Sequence, residues 1–105
     1  MITFKDFEKL DIRIGKVKSA EKIPETRLIK IKVDIGGEVR QLVAGGGLGS
    51  EDLLSKNVVV LANLEPRALR GVQSNGMILA ADIGEGKKPV ILVPDEDVPA
   101  GTKVR

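Results

Sequence analysis

The sequence predicts an all-β fold built around a small antiparallel barrel, and three observations support this prediction. Apolar and polar residues alternate from Ile29 to Ile35, which is the period of a strand with one buried face. A Gly36-Gly37 pair follows and predicts a tight hairpin into a second strand, Val39 to Ala44. A short helix is then predicted from Ser50 to Leu54, because a serine that can cap it is followed by two acids. An apolar strand follows at residues 57–62.

The remaining predicted elements lie before and after these strands. A short N-terminal helix is predicted because Thr3 can cap it and an acid, Asp6, stands three positions later. In the strand that follows, we expect a β-bulge at Gly15-Lys16, which would return Val17 to the same face as the isoleucines before it. Two further strands are predicted at residues 77–81 and 90–93.

This order of elements describes a known barrel architecture. Five antiparallel strands with a helix between the third and fourth are typical of an oligonucleotide/oligosaccharide-binding (OB) fold, a partly open Greek-key barrel. A length of 105 residues suits one such domain, so we expect residues 1–105 to form a single OB domain. The segment after Gly84 exceeds a minimal barrel, and we expect this C-terminal extension to pack against a partner.

The composition excludes most classes of enzyme. The chain has no His and no Cys, so it lacks an imidazole base, a thiolate nucleophile and the usual ligands of a transition metal. A mechanism based on carboxylates or lysines stays open, but no set of residues indicates an active site. We therefore predict a non-catalytic protein with no metal and no cofactor.

The net charge of +2 does not by itself indicate a nucleic-acid binder, but the charge is unevenly distributed. Basic residues concentrate in the first half of the chain, and an isolated pair follows at Arg67 and Arg70. Basic residues opposite a buried strand face occur on any sheet. They favour nucleic-acid binding here because we expect them to share the side on which OB barrels hold ligands. This predicted basic face comprises Arg13, Lys16, Lys18, Lys30, Lys32 and Arg40.

Two other motifs fit ligand sites poorly. The glycine run Gly45 to Gly49 lacks the lysine that a phosphate loop needs after its last glycine, so we interpret it as a turn that a ligand could approach closely. The acidic run Asp95 to Asp97 lies between Pro94 and Pro99. Adjacent side chains point in different directions, so we interpret this run as a solvated turn rather than a cation site.

The segment from Asn63 to Met77 is the most unusual part of the chain. It contains Pro66, two arginines and a run of small polar residues before Met77. Arginine and polar donors match phosphate and sugar oxygens, and methionine offers a flexible apolar surface to a base or ribose. On composition alone, an ordinary loop with incidental arginines and a core methionine is somewhat favoured.

The same segment carries a resemblance to a known family. Asn63 to Arg67, Leu69 to Val72 and Ser74 to Ala81 resemble the signature of the tRNA-binding domain. This domain is found at the C-terminus of methionyl-tRNA synthetases, in their separate beta subunits, and in the endothelial-monocyte-activating polypeptide group. The resemblance covers nearly the whole chain and extends to residues 7–17, 42–45, 93–95 and 99–102.

The resemblance implies a non-catalytic homodimer that binds tRNA by shape and assists a methionyl-tRNA synthetase catalytic chain. We expect the dimer interface near Val90 to Val93. The sequence departs from the family at residues 23–28, so the role of that loop is open. The predicted tRNA-binding residues are Arg13, Lys16, Lys30, Lys32, Arg40, Arg67, Arg70, Ser74, Asn75 and Met77.

A second relative gives the alternative function. An export-related chaperone of similar size and fold has an N-terminal helix that resembles Phe4 to Leu10. That resemblance implies a dimer that holds peptide in an apolar groove. Both phenylalanines lie in this predicted helix, so the basic face has no ring on which single-stranded bases could stack. The lack of aromatic residues therefore favours a folded RNA as the partner.

The location expected for this chain is the cytoplasm. The longest apolar run, Val58 to Ala62, is far shorter than a membrane span needs. The first residues carry an acid at Asp6, where a signal peptide would have an apolar segment. We therefore predict neither a membrane anchor nor a membrane partner.

Overall fold

The computed structural model describes residues 1–105, and most of its regular structure is β-strand. One antiparallel sheet has the strand order β3-β2-β1-β4-β7, and β10 adds to β1. Strands β5–β6 and β8–β9 form separate two-stranded ribbons. Neither helix has the length and apolar character needed to cross a membrane. The elements are α1 (Phe4–Glu8), β1 (Ile12–Lys22), β2 (Ile29–Asp34), β3 (Val39–Ala44), α2 (Ser50–Leu53), β4 (Asn57–Leu61), β5 (Arg67–Leu69), β6 (Val72–Ser74), β7 (Met77–Ile78), β8 (Ala80–Ala81), β9 (Val90–Ile91) and β10 (Lys103–Val104).

The sheet curls until its two edges meet. The edge strand β3 reaches the end of β6 through two hydrogen bonds: the Asn75 backbone N–H donates to the Gln41 carbonyl at 2.9 Å, and the Val43 N–H donates to Ser74 Oγ at 3.0 Å. These bonds nearly close a barrel, with α2 between the third and fourth strands. The predicted all-β OB-like barrel is confirmed.

The barrel interior is filled by aliphatic side chains. In β2, Ile29, Ile31 and Val33 are buried and alternate with lysines, so the predicted period of two is confirmed. The core contains no aromatic residue and no charged one. Its thirteen members are Val17, Ile29, Ile31, Val33, Ile35, Leu42, Ala44, Leu48, Leu53, Val58, Val60, Ala62 and Ile78.

The β-bulge expected at Gly15-Lys16 is wrong. Pairing of β1 with β4 continues without a break from Ile12 to Lys16, and the irregularity in the pairing with β2 falls between Val17 and Ser19. Gly15 is needed at its position for another reason: a Cβ there would lie 2.5 Å from a methyl group of Val33. The glycine thus permits close strand packing rather than an inserted residue.

Without a bulge at that point, Val17 faces away from the two isoleucines that precede it. Val17 belongs to the core cluster, whereas Ile12 and Ile14 are buried outside that cluster. They lie in the part of β1 to which the C-terminal segment binds. The Gly101 N–H donates to the Ile14 carbonyl at 2.7 Å, and the Ile14 N–H donates to the Thr102 carbonyl at 2.9 Å.

The end of the C-terminal extension therefore packs on its own barrel. A further close contact lies beside these hydrogen bonds: Gly36 and Gly101 meet backbone to backbone. A Cβ on Gly36 would lie 2.7 Å from Gly101 Cα, and a Cβ on Gly101 would lie 2.8 Å from Gly36 Cα. Both residues have a positive φ, +95° and +92°, so glycine is required at each for two independent reasons.

The N-terminal helix is shorter and more exposed than its pattern suggests. The predicted cap is present: the Thr3 N–H donates to Asp6 at 3.0 Å, and the Asp6 N–H donates to Thr3 Oγ1 at 3.2 Å. The helix ends at Glu8 and buries none of its residues. Phe4 is 74% exposed, and its ring lies 6.3 Å from the Phe7 ring, measured between centroids.

The contact between Gly36 and Gly101 gives a test of the fold. We expect Gly36→Ala to lower the free energy of unfolding by about 3 kcal/mol, because the methyl group adds a backbone clash to a left-handed conformation. Urea unfolding of wild type and variant measures the difference. Gly37→Ala is the matched control, since Gly37 has φ +86° but open space around its Cβ position. We expect it to cost about 1 kcal/mol, and equal losses for the two variants would contradict the clash.

Candidate nucleic-acid interface

The β5–β6 ribbon carries an arginine at its tip. Leu69 pairs with Val72, so only Arg70 and Gly71 form the turn. Their φ angles are +53° and +79°, the pattern of a type I′ turn, which favours Asn-Gly. A left-handed conformation costs an arginine about 1–2 kcal/mol. Such strain persists where the surrounding structure imposes it, and it is common at functional sites.

Arg67 and Met77 lie together near the base of the ribbon. With Gly45, Leu48 and Pro89, they line a depression of about 180 Å³ that is mostly apolar. The Met77 side chain is 36% exposed, so it belongs to the surface and not to the core. This arrangement places a flexible apolar side chain beside a guanidinium, and it can accommodate a ribose or a base next to a phosphate.

A second depression of about 490 Å³ lies beside the start of β3 and is mostly polar. Its polar lining comprises Lys32, Glu38, Arg40, Gln41 and Asn75. The Gln41 side-chain amide donates to the Gln73 carbonyl at 2.9 Å, which ties the ribbon to β3. Three predicted binding residues, one from each of β2, β3 and the loop after β6, are thus brought together.

The predicted cations divide into two groups by their partners. Lys16, Lys32, Arg67 and Arg70 have no carboxylate oxygen within 4.0 Å. Lys30 is paired with Glu21 at 2.6 Å. Arg13 and Arg40 are paired with acids as well. Only the first group presents a charge that is free for an external anion.

The expectation that the basic residues share one face is wrong for Arg13 and Arg40. Residues paired across neighbouring strands point to the same side of a sheet. Arg40 pairs with Val33 and Arg13 with Val60, and both valines belong to the core. These two arginines therefore stand on the inward-facing side at the ends of their strands, whereas the lysines of β2 face solvent.

Arg40 closes one end of the barrel. Its Nη1 donates to the Ala62 carbonyl and, at 3.3 Å, to the Asn75 carbonyl, and its Nε lies 3.3 Å from Glu38. The side chain is 27% exposed. The guanidinium thus joins the end of β4, the end of the ribbon and the residue that precedes β3.

Arg13 is held by Asp11 in a network that joins β1 to β10. Its Nε and Nη2 donate to the Asp11 carboxylate at 2.9 and 2.8 Å, and Lys103 Nζ donates to it at 3.1 Å. The hydrogen bond from Arg13, assisted by Lys103, lowers the pKa of Asp11 to about 2. The stabilisation from this carboxylate is therefore complete above about pH 4 and is lost as the pH falls toward 2.

Comparison with known proteins identifies the family. The family model described as "Putative tRNA binding domain" matches residues 12–103. The chain belongs to the tRNA-binding domain family. The methionine–tRNA ligase of Pyrococcus furiosus is 49% identical to this domain over 107 aligned residues, which cover 99% of the chain and 14% of the ligase. The chain thus spans about a seventh of the length of the curated relatives that it matches.

Two solved structures resemble this tRNA-binding domain over their whole length. A MetRS related protein from Pyrococcus horikoshii superimposes with a TM-score of 0.91 at 36% identity, and the match covers 100% of this chain and 98% of that one. The chaperone CsaA from Bacillus anthracis superimposes with a TM-score of 0.88 at 31% identity, and the match covers 100% and 99%.

Ser74 occupies a different position in the tRNA-binding domain from the other predicted binding residues. It is 3% exposed and is the only polar side chain in the buried set. Its hydroxyl accepts from the Val43 N–H at 3.0 Å and donates to the Gly76 carbonyl at 3.0 Å. The hydroxyl is thus satisfied within the chain, and it positions the ribbon against β3.

Sequence reasoning missed Gln41, the other side chain that holds the ribbon. Its amide reaches a residue 32 positions away, so no local pattern around it indicates the contact. The available signal is the closure of an OB barrel, which brings the edge strand β3 beside a later strand. A long amide side chain on β3 can then bridge the two edges.

The role of Ser74 as a structural link in this domain is testable. We expect Ser74→Ala to lower the free energy of unfolding by about 1–3 kcal/mol, because it leaves the Val43 N–H and the Gly76 carbonyl buried without their partner. Urea unfolding measures the loss. The control is Gln73→Ala at the adjacent exposed position, which makes no side-chain hydrogen bond. A Ser74→Ala variant as stable as the Gln73→Ala variant would contradict the role.

Proposed function

We propose that this domain binds folded tRNA through its shape and phosphate backbone, without catalysing a reaction, and assists a methionyl-tRNA synthetase catalytic chain. Membership of the tRNA-binding domain family supports the ligand, and similarity to methionine–tRNA ligases supports the partner. Its site of action would be the cytoplasm. The absence of His and Cys supports a non-catalytic role, since neither an imidazole base nor a thiolate is available.

The observation that carries the proposal is Arg70. A positively charged side chain with no carboxylate partner stands at the tip of an exposed ribbon, in a backbone conformation that disfavours arginine. A stable turn alone would be served better by asparagine. A guanidinium that binds an external anion accounts for an arginine at this position, and the phosphates of RNA supply that anion.

The lack of aromatic side chains on the ribbon supports the preference for folded tRNA over single-stranded RNA. No aromatic side chain lies on or near the ribbon, since the two phenylalanines are in α1. Proteins that bind single strands stack bases on such rings. Phosphate contacts from a rigid surface instead favour a folded RNA whose backbone has the matching curvature.

The predicted residues divide into contacts and supports in this proposal. Lys16, Lys32, Arg67 and Arg70 neutralise phosphates, and Asn75 and Met77 meet a ribose or an exposed base. Lys30 contributes once its exposed pair with Glu21 opens, which costs little in water. The remaining residues hold the surface in place; they are Arg13, Arg40 and Ser74.

We also propose that the domain acts as a homodimer through the β8–β9 ribbon. The apolar side chains of Ile83, Val90, Leu92 and Val93 are 43–55% exposed and lie within eleven residues of one another along the chain. Exposed apolar patches of this kind mark protein interfaces. Burial against a second copy would remove them from water.

A peptide-binding chaperone is the second candidate function. Phe4, Phe7, Leu10 and Val104 line a largely apolar groove of about 310 Å³, which could hold an unfolded segment. The chaperone CsaA from Bacillus anthracis has the same fold at 31% identity. The charged ribbon has no role in this function, so tRNA binding accounts for more of the surface.

Binding of purified tRNA tests the main proposal. We expect the domain to bind folded tRNA more tightly than an unstructured RNA of equal length, with an affinity that falls steeply with salt. Arg70→Asn should weaken tRNA binding by about tenfold and reduce the salt slope by about one phosphate contact, while leaving the turn at least as stable. Equal binding of the two RNAs would contradict recognition by shape.

Arg70→Lys is the matched control, because it keeps the charge in the same backbone conformation. We expect it to retain most of the affinity. If Arg70→Asn bound tRNA as tightly as wild type, the ribbon tip would not contact RNA. A domain that bound a reduced, unfolded polypeptide but no tRNA would support the chaperone function instead.

The homodimer is tested by sedimentation at micromolar concentration. We expect the wild type to sediment as a dimer and Val90→Lys to sediment as a monomer, because a buried unpaired ammonium is very costly at an interface. Val39→Lys is the control, since Val39 is 57% exposed on β3. A monomeric wild type would remove this part of the proposal without affecting tRNA binding.

A further inference from the structure

The loop between β1 and β2, residues 23–28, is fixed by its own hydrogen bonds. The Ile23 N–H donates to the Leu28 carbonyl at 2.9 Å, and Thr26 Oγ1 donates to the Ile23 carbonyl at 2.7 Å and accepts from the Leu28 N–H at 3.0 Å. Ile23 is 9% exposed, so the loop is also anchored by burial. The backbone of Arg27, between two bonded residues, therefore has a defined position.

The glycine run after β3 is shaped to receive this loop. A Cβ on Gly47 would lie 2.5 Å from Arg27 Nη2, and a Cβ on Gly45 would lie 3.2 Å from a methyl group of Leu28. Gly47 also has a φ of +86°. The Arg27 guanidinium thus lies directly on the backbone of the glycine run, where any side chain would displace it.

The surroundings of Arg27 carry uncompensated positive charge. Neither Arg27 nor Lys22 has a carboxylate oxygen within 4.0 Å, and both line an open depression of about 350 Å³. Ser50 adds a hydroxyl to it. Glu51 is the one acid in the lining, and it pairs with neither cation.

This depression is joined to the one that holds Arg67 and Met77. Leu48 lines both, so the two depressions lie on either side of the same glycine run. The Pro89 ring packs on Gly46 and the Arg27 guanidinium packs on Gly47, so these two side chains cover the ridge between the depressions. A chain of phosphates that leaves Arg67 and passes over this ridge therefore meets the Arg27 guanidinium on the far side.

We propose that Arg27, with Lys22, forms a second phosphate-binding point, which extends the RNA surface from the ribbon across the glycine run to the β1–β2 loop. The ligand class is the sugar–phosphate backbone of RNA, and the inference rests on the proposed function. The planar guanidinium of Arg27 binds phosphate oxygens in pairs, and Lys22 adds a point charge. This assigns a role to the β1–β2 loop, whose role the sequence left open.

The test measures tRNA affinity as a function of salt for Arg27→Gln and Lys22→Gln. We expect each variant to bind roughly three- to tenfold more weakly at moderate salt, with the salt slope reduced by about one contact for Arg27→Gln. Lys5→Gln is the matched control, because Lys5 is exposed and unpaired and lies on α1, outside the depressions assigned to RNA. We expect it to bind as wild type does.

A variant that binds tRNA more tightly than wild type cannot be explained by a loss of folding. Glu51→Gln removes the acid from the same depression, so we expect roughly two- to threefold tighter binding of tRNA. Thermal unfolding of every variant without RNA checks that the fold is intact. Arg27→Gln and Arg70→Asn should weaken binding independently, because the two contacts share no partner.

The outcomes separate the two proposals. If Arg70→Asn weakens binding while Arg27→Gln, Lys22→Gln and Glu51→Gln all bind as wild type does, the second phosphate-binding point is wrong and the proposed function stands. If the wild type binds no tRNA, both proposals are wrong. If Lys5→Gln weakens binding as much as Arg27→Gln, the effect reflects overall charge, and the assignment to this depression is overturned.

Discussion

The closure of the barrel is anchored by one buried hydroxyl. The edge strand β3 has few backbone partners on its open side, and Ser74 supplies the acceptor that the Val43 N–H would otherwise lack. Asn75 and Gln41 add the neighbouring bonds. Arg70 lies four residues before Ser74 and Met77 lies three residues after it, so both are held close to these hydrogen bonds. Loss of the bonds would therefore displace the side chains of the candidate interface.

Local patterns predicted the parts of the fold whose signals are local. The alternation through Ile31 and the Thr3 cap each depend on residues a few positions apart, and the structure contains both. The β5–β6 ribbon was not predicted, because its turn is Arg-Gly and lacks the usual Asn-Gly signal. The pairing of β10 with β1 joins residues about ninety positions apart, so no sequence window contains it.

The candidate site shows a similar division. The resemblance to the tRNA-binding domain indicated the residue types and the segment, because these are properties of the sequence. It could not indicate which charges are free. Arg13 is neutralised by Asp11 and Arg40 is drawn into the barrel end, and both effects follow from strand register. A register decides the direction of a side chain, and it forms only when distant strands meet.

The turn at the ribbon tip has a consequence for the lifetime of the proposed complex. The left-handed backbone at Arg70 is imposed before any RNA arrives, so part of the ordering that binding requires is already complete. Preorganisation of this kind strengthens a complex chiefly by slowing its dissociation. The strained turn lowers the stability of the free domain, and in the proposed complex it would slow the dissociation of the RNA.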